Sequence, residues 1–398
     1  MKIFKTIRNQ FWKLKKNSLR LKQLKVDQGG TLVTYEYSVT GEWKRYFSRK
    51  EVFTIDYGVD VSSVPDGILV IPFLANVLPM SWVCDAEINI GEIEKDFYES
   101  ISQIKQGYSQ MYPMLSFKGM LTATAVKSFK PLLTKTPSAM FFSAGVDSFD
   151  TFLSHKEENP LLITLWGSDV RFDDVDGWRL MLERINFMTD SFGLDSAVVK
   201  TSFRSFLREG ELSELVSISG DNWWHGFQHG IGILCHAAPY AYLTGFKKLY
   251  IASSFTPKQK GRVTCASDPT IDEVVSFLGV QVIHDGYEFD RLEKVRHIVN
   301  HADRHKEYLP LHVCWEEAGG KNCSHCEKCT RTILEIYACG ENPENFGFEP
   351  NLISESVVAE RRRDSVRWEM NYSPVIKELK SRYTSETIAS WASWIFKY

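Results

Sequence analysis

The stretch that decides the fold lies near the middle of the chain, where residues 141–150 read FFSAGVDSFD. A short apolar run leads into three small residues, Ser143, Ala144 and Gly145, and then into helix-compatible sequence. This order predicts a strand, a tight loop and a helix. Small residues let the backbone approach a ligand closely, and the amides that open a helix attract an anion. The stretch therefore predicts an anion-binding loop, with an ordinary capped strand-to-helix turn as the alternative.

The sequence around this loop alternates between strand-like and helix-like segments. Strands are predicted at 139–142, 161–165, 197–200, 249–252 and 280–284, and helices at 147–156, 176–192, 223–245, 271–278 and 289–302. Such alternation predicts the α/β class, with a mostly parallel sheet and helices on both faces. Ligands of such sheets bind at the carboxyl ends of the strands, where Ser143, Asp147 and Asp169 would lie.

The first third of the chain and its tail differ from this central region. Alternating apolar residues around Gly29 and Gly30 predict a hairpin within a β-rich unit at about 18–90, and helical spacing follows at 85–111. The tail predicts helical cover on the body. We therefore expect three parts, which are a mixed β/α domain at 1–125, a central domain at 137–345 and a helical extension at 346–398.

The amino-acid composition excludes some classes of function but does not identify one. Of the 398 residues 43% are hydrophobic and 24% are charged, and the formal net charge is −3. This composition is typical of a soluble globular protein and gives no global argument for nucleic acid. The N-terminus is basic up to Lys25, but charges interrupt every apolar run, so we expect neither a signal peptide nor a membrane span. We interpret this segment as a solvated basic face, with a membrane or nucleic-acid contact as the alternative.

Four of the eight cysteines form the pattern C-x8-C-x2-C-x2-C, and they are Cys314, Cys323, Cys326 and Cys329. Two intervening residues let neighbouring thiolates converge on one ion, and a fourth thiolate from a loop completes a tetrahedron. The pattern predicts a structural Zn²⁺ site, with an iron–sulfur cluster as the alternative. Because four thiolates close the coordination, the metal should shape the loop and not activate water. We place His325 and Cys339 outside the ligand set, and reduced cysteines of this kind predict a cytoplasmic protein.

The loop and the cysteines together resemble one protein family. Residues 143–148 resemble the S-G-G-x-D-S pyrophosphate loop of the PP-loop ATP pyrophosphatases, with Ala144 where the first glycine usually stands. About 165 residues downstream, the cysteine spacing is that of the zinc knuckle in the 7-cyano-7-deazaguanine synthase (QueC) branch. The resemblance covers roughly residues 137–345. It implies a PP-loop (HUP-like) domain, with a parallel sheet sandwiched by helices, between the β-rich N-terminal addition and the helical tail.

The resemblance also implies an ATP-dependent ligase with AMP and pyrophosphate as products. A carboxylate oxygen would attack the α phosphorus of ATP, and ammonia or an amine would then displace AMP to give an amide or nitrile. The catalytic residues would be Asp147, Ser143 and Ser148, with Mg²⁺ close to Asp147. In the named family the acid is a 7-deazaguanine of queuosine biosynthesis. The residues implied to bind ATP and substrate are Ser143, Ala144, Gly145, Val146, Asp147, Ser148, Asp169, Ser254, Asp268 and Asp272.

Departures from the family pattern leave the acceptor open. The string WWHGFQHG at 223–230 and the N-terminal addition are not expected of the plain biosynthetic enzyme. We interpret the chain as a diverged, homodimeric member in bacterial antiviral defence, whose acceptor is a small acid, a protein or a modified nucleobase. His225 and His229 either face the pocket or are satisfied buried histidines. The basic residues Lys258, Lys260 and Arg262 either close over phosphates or form an exposed loop.

Two other functions stay open at this point. Thiolation of a nucleic-acid base needs a reactive cysteine, and those outside the zinc set are Cys84, Cys235, Cys265 and Cys339. A non-catalytic scaffold would bind ATP without hydrolysis and use its N-terminal unit for a protein partner. A nucleic-acid-reading role for the cysteine knuckle is disfavoured, because its short insertions lack aromatic and arginine side chains.

Overall fold

The computed structural model describes residues 16–316 and 319–398, and one ten-stranded sheet forms their centre. The strands are β1 (Ser18–Val26), β2 (Leu32–Thr40), β3 (Thr54–Asp56), β4 (Glu87–Glu94), β5 (Met120–Lys127), β6 (Ser138–Phe141), β7 (Leu161–Trp166), β8 (Ser196–Thr201), β9 (Lys248–Ala252) and β10 (Gln281–Asp285). Their order across the sheet is β10-β9-β6-β7-β8-β3-β2-β1-β4-β5. Parallel pairs outnumber antiparallel ones, so the α/β class with a mostly parallel sheet is confirmed.

Helices and short helical turns lie between and after these strands, joined by loops. The α-helices are α1 (Asp66–Leu69), α2 (Ile71–Val83), α3 (Lys95–Met111), α4 (Val146–His155), α5 (Val175–Phe192), α6 (Glu209–Leu215), α7 (Ile231–Leu234), α8 (Ala238–Thr244), α9 (Pro269–Asp272), α10 (Arg291–His305), α11 (Glu327–Ala338), α12 (Glu355–Arg361), α13 (Ser365–Asn371) and α14 (Ser373–Arg382). Within residues 16–316 and 319–398, none of them combines the length and apolarity that crossing a membrane requires. The basic segment before Lys16 lies outside the described residues.

Two apolar cores cover the two faces of the sheet. Successive strand residues alternate between them, since Leu161 and Ile163 belong to one core and Leu162 to the other. The first core includes the helix α2 residue Phe73, and the second includes Phe149 of α4. This period of two follows from strand geometry, and a strand covered on both faces reads as an unbroken apolar run. The run at 161–165 therefore predicts its strand correctly.

The strand order places a reversal at the predicted loop. Strands β7 and β8 lie on one side of β6, and β9 and β10 lie on the other, all five parallel. The chain adds β7 and β8 on one side of β6 and then returns to add β9 and β10 on the other side. The order of strand addition therefore reverses between β6 and β9. In open α/β sheets a ligand binds outside the strand ends at such a switch point. The loop after β6 and the loop after β9 flank this position. The more specific PP-loop fold stays a prediction.

The first third extends this sheet. Strand β3 pairs antiparallel with β8, with Ile55 opposite Thr201. The hairpin β1–β2 is confirmed, and Gly30 occupies its turn with φ 76°. The predicted helix at 85–111 is wrong in its first part, because residues 87–94 form β4 before α3 begins. The β-rich reading of 18–90 is also wrong at 66–83, where α1 and α2 lie, and β5 was not predicted.

The predicted helix at 223–245 is broken. A π-helical turn at Trp224–Gln228 comes first, and Gly230 then adopts φ 82° before α7 and α8. A Cβ at Gly230 would stand 2.6 Å from the Ala266 carbonyl oxygen, so the close approach of that segment requires glycine. The helix predicted at 271–278 is likewise reduced to α9. The tail is helical as expected, and Tyr372 and Leu379 pack with Leu334 of α11.

Candidate functional site

The predicted loop joins β6 to α4 and has a strained residue at its centre. Ala144 adopts φ 56°, and its carbonyl oxygen accepts a hydrogen bond from His312 N at 2.8 Å. The Ser148 hydroxyl donates to Gly145 O at 3.0 Å and accepts from Ser143 N at 3.3 Å. Ala144 is buried and Ser143 is exposed. These hydrogen bonds hold the loop in place, and Ser143 remains accessible at the end of the strand.

Asp147, in the first turn of α4, lies between two cations. Its Oδ1 is 3.6 Å from Lys294 Nζ, and its Oδ2 is 3.6 Å from Arg291 Nη1. Both cations belong to α10, which packs against α4. Ser254 Oγ donates to Asp147 Oδ2 at 3.4 Å. Burial acts to raise the pKa of the Asp147 carboxyl, but the charges of Lys294 and Arg291 outweigh it and hold the pKa below its ordinary value.

Helix α11 brings two further cations, Lys328 and Arg331, whose charges also act on Asp147. Arg331 lies 3.9 Å from the buried carboxylate of Glu335, to which Arg291 Nε also donates at 3.2 Å. Burial raises the pKa of Glu335 to about 7, against the opposing pull of the two arginines. We call Arg291, Lys294, Lys328 and Arg331 the cation cluster. A gathering of this kind beside a helix N-terminus suits a polyanionic ligand.

The four predicted metal ligands form one cluster. The Sγ atoms of Cys314, Cys323, Cys326 and Cys329 all lie within 4.8 Å of one another. The Cys314–Cys326 and Cys323–Cys329 sulfur pairs are 4.0 and 3.9 Å apart. A tetrahedral zinc site with Zn–S bonds of about 2.3 Å has sulfur–sulfur edges of about 3.8 Å. The cluster can therefore hold a metal such as zinc, as the cysteine spacing predicts. His325 instead contacts the Cys323 carbonyl oxygen through Nδ1, at 2.9 Å.

The cysteine cluster also sets the position of α11. Cys326 is the N-cap residue of that helix, and Lys328 stands between two ligands. The loop within the cluster is docked on α5, where the Asp174 carboxylate accepts from Gly319 N at 3.0 Å. A metal bound here would thus hold the start of the helix that carries Lys328 and Arg331. Helix α11 thus joins the cysteine cluster to the cation cluster.

The other residues implied to bind substrate are divided between two places. Ser254 lies against Asp147, and the charge of exposed Asp169 acts on Lys328. Asp268 accepts from Thr270 N at 2.8 Å and caps α9. Asp272 is fully buried, with Ser267 Oγ and His284 Nδ1 each 2.8 Å from its Oδ2. Its Oδ1 has no hydrogen-bond partner among the described residues.

For the basic loop, closure over phosphates and an exposed loop were both open, and two of its residues make contacts away from residues 143–148. Lys260 Nζ donates to Thr270 Oγ1 at 3.0 Å. Arg262 forms an ion pair with Glu369 at 2.7 Å. These contacts favour the exposed-loop interpretation of the two residues.

His225 and His229 border a separate polar group that includes Cys265. His225 Nδ1 is 2.9 Å from Asp221 Oδ1, and the Tyr112 hydroxyl donates to Asp221 Oδ2 at 2.9 Å. His229 Nδ1 is 3.7 Å from the Cys265 sulfur. Hydrogen bonds to Asp221 and Cys265 raise the pKa of His225 to about 10. Burial acts to raise the pKa of the Cys265 thiol, but the two histidines lower it to about 6.

Sequence reasoning missed the cation cluster and Asp221. Arg291 and Lys294 stand at the start of a predicted helix, and Lys328 and Arg331 follow the cysteine knuckle, where charged residues are ordinary. A usable signal was present only in Lys328, which lies between two metal ligands. The other three side chains reach the loop through helix packing that the sequence pattern does not show.

Fold and site together define a class of protein. It is a doubly wound α/β protein whose loop at the switch point is suited to binding a polyanion, with a four-cysteine cluster beside that loop. Comparisons of the chain with protein-family models, curated proteins and solved structures found no match. The family resemblance therefore rests on the two motifs.

Proposed function

We propose that this protein is an ATP-dependent ligase of the PP-loop type, which adenylates a carboxylate and passes the acyl group to ammonia or an amine. The supporting observation is the meeting of residues 143–148 with the cation cluster at the switch point of the sheet. A triphosphate carries several negative charges, and a helix N-terminus with nearby Arg and Lys side chains is a favourable place for them.

The chain's own groups would act mainly on the leaving pyrophosphate. The carboxylate oxygen attacks the α phosphorus, and the bond between that phosphorus and the bridging oxygen to the β phosphorus breaks. Ser143 and the first amides of α4 would hold the β and γ phosphates, and the cation cluster would stabilise the charge that develops on them. Asp147 offers the oxygen ligand that Mg²⁺ prefers, and Mg²⁺ when bound would neutralise phosphate charge.

The cysteine cluster would have a structural role in this reaction. With four thiolates around Zn²⁺ no coordination position is left for water or substrate. Its contribution would be to hold Lys328 and Arg331 in place. The acid itself is proposed from the resemblance alone, as a 7-deazaguanine carboxylate or a related compound, and the nitrogen donor as ammonia or a protein amine.

The reaction products test the proposal. Protein incubated with Mg²⁺, ATP, ammonium and 7-carboxy-7-deazaguanine should give AMP and pyrophosphate, detected by mass spectrometry and a pyrophosphate-specific assay. A panel of other acids and amines should be run in parallel, since the acceptor is the least supported part. Release of ADP with phosphate would contradict the proposal. ATP binding by calorimetry without turnover on any substrate would favour the non-catalytic scaffold.

One observation favours base thiolation as the second candidate. Thiolation needs a reactive cysteine, and Cys265 has two histidines beside its sulfur. Burial instead raises the pKa of Cys84 to about 12 and that of Cys339 to about 11. A transfer of sulfur to RNA that Cys265→Ala abolishes, without any acid-dependent AMP formation, would support thiolation over the ligase.

A further inference from the structure

We propose that Cys265, His225 and Asp221 form a nucleophile site, in which the Cys265 thiolate takes the acyl group from the adenylate and then passes it to the amine. This step would follow adenylation, so it rests on the ligase function proposed above. It adds a thioester between the two half-reactions and assigns a function to the group around His225.

The geometry is that of an oriented imidazole near a thiol. The Tyr112 hydroxyl and Asn222 N both donate to Asp221, each at 2.9 Å, and Asp221 in turn holds Nδ1 of His225. Nε2 of His225 is not used by Asp221, and the charge of the ring acts on Cys265, whose sulfur lies 3.7 Å from His229 Nδ1. A carboxylate that fixes an imidazole next to a nucleophile is the arrangement that activates Ser and Cys in acyl transfer.

The backbone is shaped to permit these contacts. A Cβ at Gly226 would stand 2.6 Å from the Tyr112 hydroxyl and 2.8 Å from Asp221 Oδ2. Such distances are too short for a carbon atom, so a side chain at position 226 would displace the Tyr112 hydroxyl or the Asp221 carboxylate. Ala266 N also donates to the His225 carbonyl oxygen at 2.8 Å, which ties the residue after Cys265 to the same turn.

The charges around the thiol favour its ionised form. The titratable groups that act on Cys265 or on its two histidines are Tyr108, Tyr112, Asp169, Asp221, His225, His229 and Asp272. Burial raises the pKa of both tyrosines, which keeps them neutral. Burial acts to lower the pKa of His229, but Cys265, Asp169 and Asp272 raise it above its ordinary value. Two cationic histidines next to a thiol are the setting in which a cysteine becomes a nucleophile near neutral pH.

A short segment joins this group to the anion-suited loop. Ser254 Oγ donates to Asp147 at 3.4 Å, and the ring of the next residue, Phe255, has its centroid 6.2 Å from that of His225. Two adjacent residues of one segment therefore contact the two sites. Asp169 acts on both His229 and Lys328. The proposal requires the acyl group of an adenylate at the cation cluster to reach Cys265 along this segment.

The chemistry balances without any oxidant or reductant. The thiolate sulfur attacks the acyl carbon, a C–S bond forms, and the C–O bond to the phosphate breaks as AMP leaves with the electron pair. The amine then attacks the thioester carbon, a C–N bond forms and the C–S bond breaks. The amine loses its proton to water, and the thiolate is regenerated beside the two cationic histidines.

A simple acyl donor tests the nucleophile without ATP. Full-length protein mixed with 4-nitrophenyl acetate should release one equivalent of nitrophenolate in a burst, with an acetyl group on Cys265 in the mass spectrum. The burst rate should rise with a midpoint near the Cys265 pKa of about 6, below the value of about 8.5 for an ordinary thiol. Cys265→Ala should abolish the burst. Cys84→Ser is the matched control, because Cys84 is partly exposed and has a raised pKa, and it should leave the burst unchanged.

Asp221 is a positioning residue and needs its own readout. Asp221→Asn should move the midpoint of the burst rate upward by at least about one pH unit, because the imidazolium loses the carboxylate that stabilises it. A purely structural role would reduce the amplitude and leave the midpoint in place. Wild-type protein that shows no burst, or a midpoint near that of a free thiol, would overturn the assignment of Cys265.

The ATP-dependent step separates failure of this inference from failure of the ligase function. With ATP and labelled 7-carboxy-7-deazaguanine, the protein should carry a label that hydroxylamine removes and that Cys265→Ala does not acquire. Cys265→Ala should keep acid-dependent exchange between ATP and pyrophosphate but lose product formation by at least about 100-fold. Exchange with full product formation in Cys265→Ala would refute the thioester alone. No exchange with any acid would refute the ligase function, and acyl transfer from an adenylate with it.

Discussion

Strands β1–β5 and strands β6–β10 belong to one sheet, but the side chains packed beside these two halves differ in how much charge they bury. Next to the first half, Phe73 contacts four aromatic rings, those of Tyr35, Tyr37, Phe53 and Phe206. The Tyr35 hydroxyl donates to Leu69 O at 2.6 Å. The buried carboxylate of Glu94 in this half caps α3 by accepting from Phe97 N. Next to the second half, Asp147, Glu335 and Lys294 form a group of opposite charges that are wholly or partly buried. Burying charge opposes folding unless it is compensated, and a buried ion pair adds little stability over apolar packing, so we attribute the charged group to function.

This difference predicts opposite consequences of substitution. Changes in the first half should reduce the free energy of unfolding and leave the activity of each folded molecule intact. Changes around the loop and cation cluster should reduce activity and leave most of the stability intact. The cysteine cluster is the one place where both should fall together, because a metal held there would fix part of the fold and part of the site.

The largest effect is expected for Cys326→Ser. Losing one of four ligands should release the metal and the start of α11, with a stability loss above about 4 kcal/mol. Lys328 and Arg331 would lose their fixed position, so ATP turnover should also be lost. Metal content by inductively coupled plasma mass spectrometry, which also separates zinc from iron, and thermal unfolding measure the two effects.

Cys339→Ser is the matched control for that experiment. Cys339 is the C-cap residue of the same helix and lies outside the four-cysteine cluster. Its replacement should retain the metal. Equal metal content in Cys326→Ser and wild type would show that the four cysteines do not form a shared site.

Phe73→Ala should have the next largest effect, and on stability alone. The ring is fully buried among other aromatic rings, and deleting such a side chain typically costs about 3–5 kcal/mol. Denaturant unfolding should show this loss, whereas kcat and KM per folded molecule should stay within about two-fold of wild type. A kcat loss as large as that for the loop substitution below would break the proposed division between the halves.

Asp147→Asn should behave in the opposite way. Removing the charge that faces the proposed Mg²⁺ site should lower turnover by about 10²–10³, or roughly 2.7–4 kcal/mol of transition-state stabilisation. Metal content and far-UV circular dichroism should be unchanged. Asp195→Asn, an exposed substitution in the same half, is the control. Full turnover in Asp147→Asn would exclude this loop as the reaction centre.

The sequence was sufficient where a segment's own pattern decides its structure. Strands β6, β7 and β9 are short apolar runs bounded by turns, and they lie within about two residues of the predicted positions. The four cysteine ligands were likewise predictable, because their spacing alone brings the thiolates together.

Prediction failed where contacts between distant segments decide. In β4 the residues Ile88 and Ile90 fit a strand, but Ile93 and the apolar residues after it fit a helix equally well. The break at Gly230 depends on the approach of Ala266, and no local pattern records it. The cation cluster depends on how α10 and α11 pack, so its members look like ordinary surface charges in the sequence.

Ala144→Gly should have the smallest effect on stability. It concerns a single φ angle, which can be compared with that of Gly30 in the first half. The β1–β2 turn places glycine at its left-handed position, Gly30, whereas the loop after β6 holds Ala144 at φ 56°. Relief of that conformation should contribute about 1 kcal/mol, and loss of the buried methyl should cost about 0.8 kcal/mol. Stability should therefore change by less than about 1 kcal/mol.

The activity of Ala144→Gly is the informative measurement. A glycine would let the loop adjust to a phosphate without strain, so ATP turnover should rise if the alanine detunes a catalytic loop. A fall in turnover at unchanged stability would mean that the strained geometry itself, fixed by the His312 hydrogen bond to Ala144 O, is what the ligand needs. Gly30→Ala supplies the contrast, because a Cβ there would stand 2.3 Å from Asp60 Oδ1. That variant should lose stability and leave turnover per folded molecule unchanged.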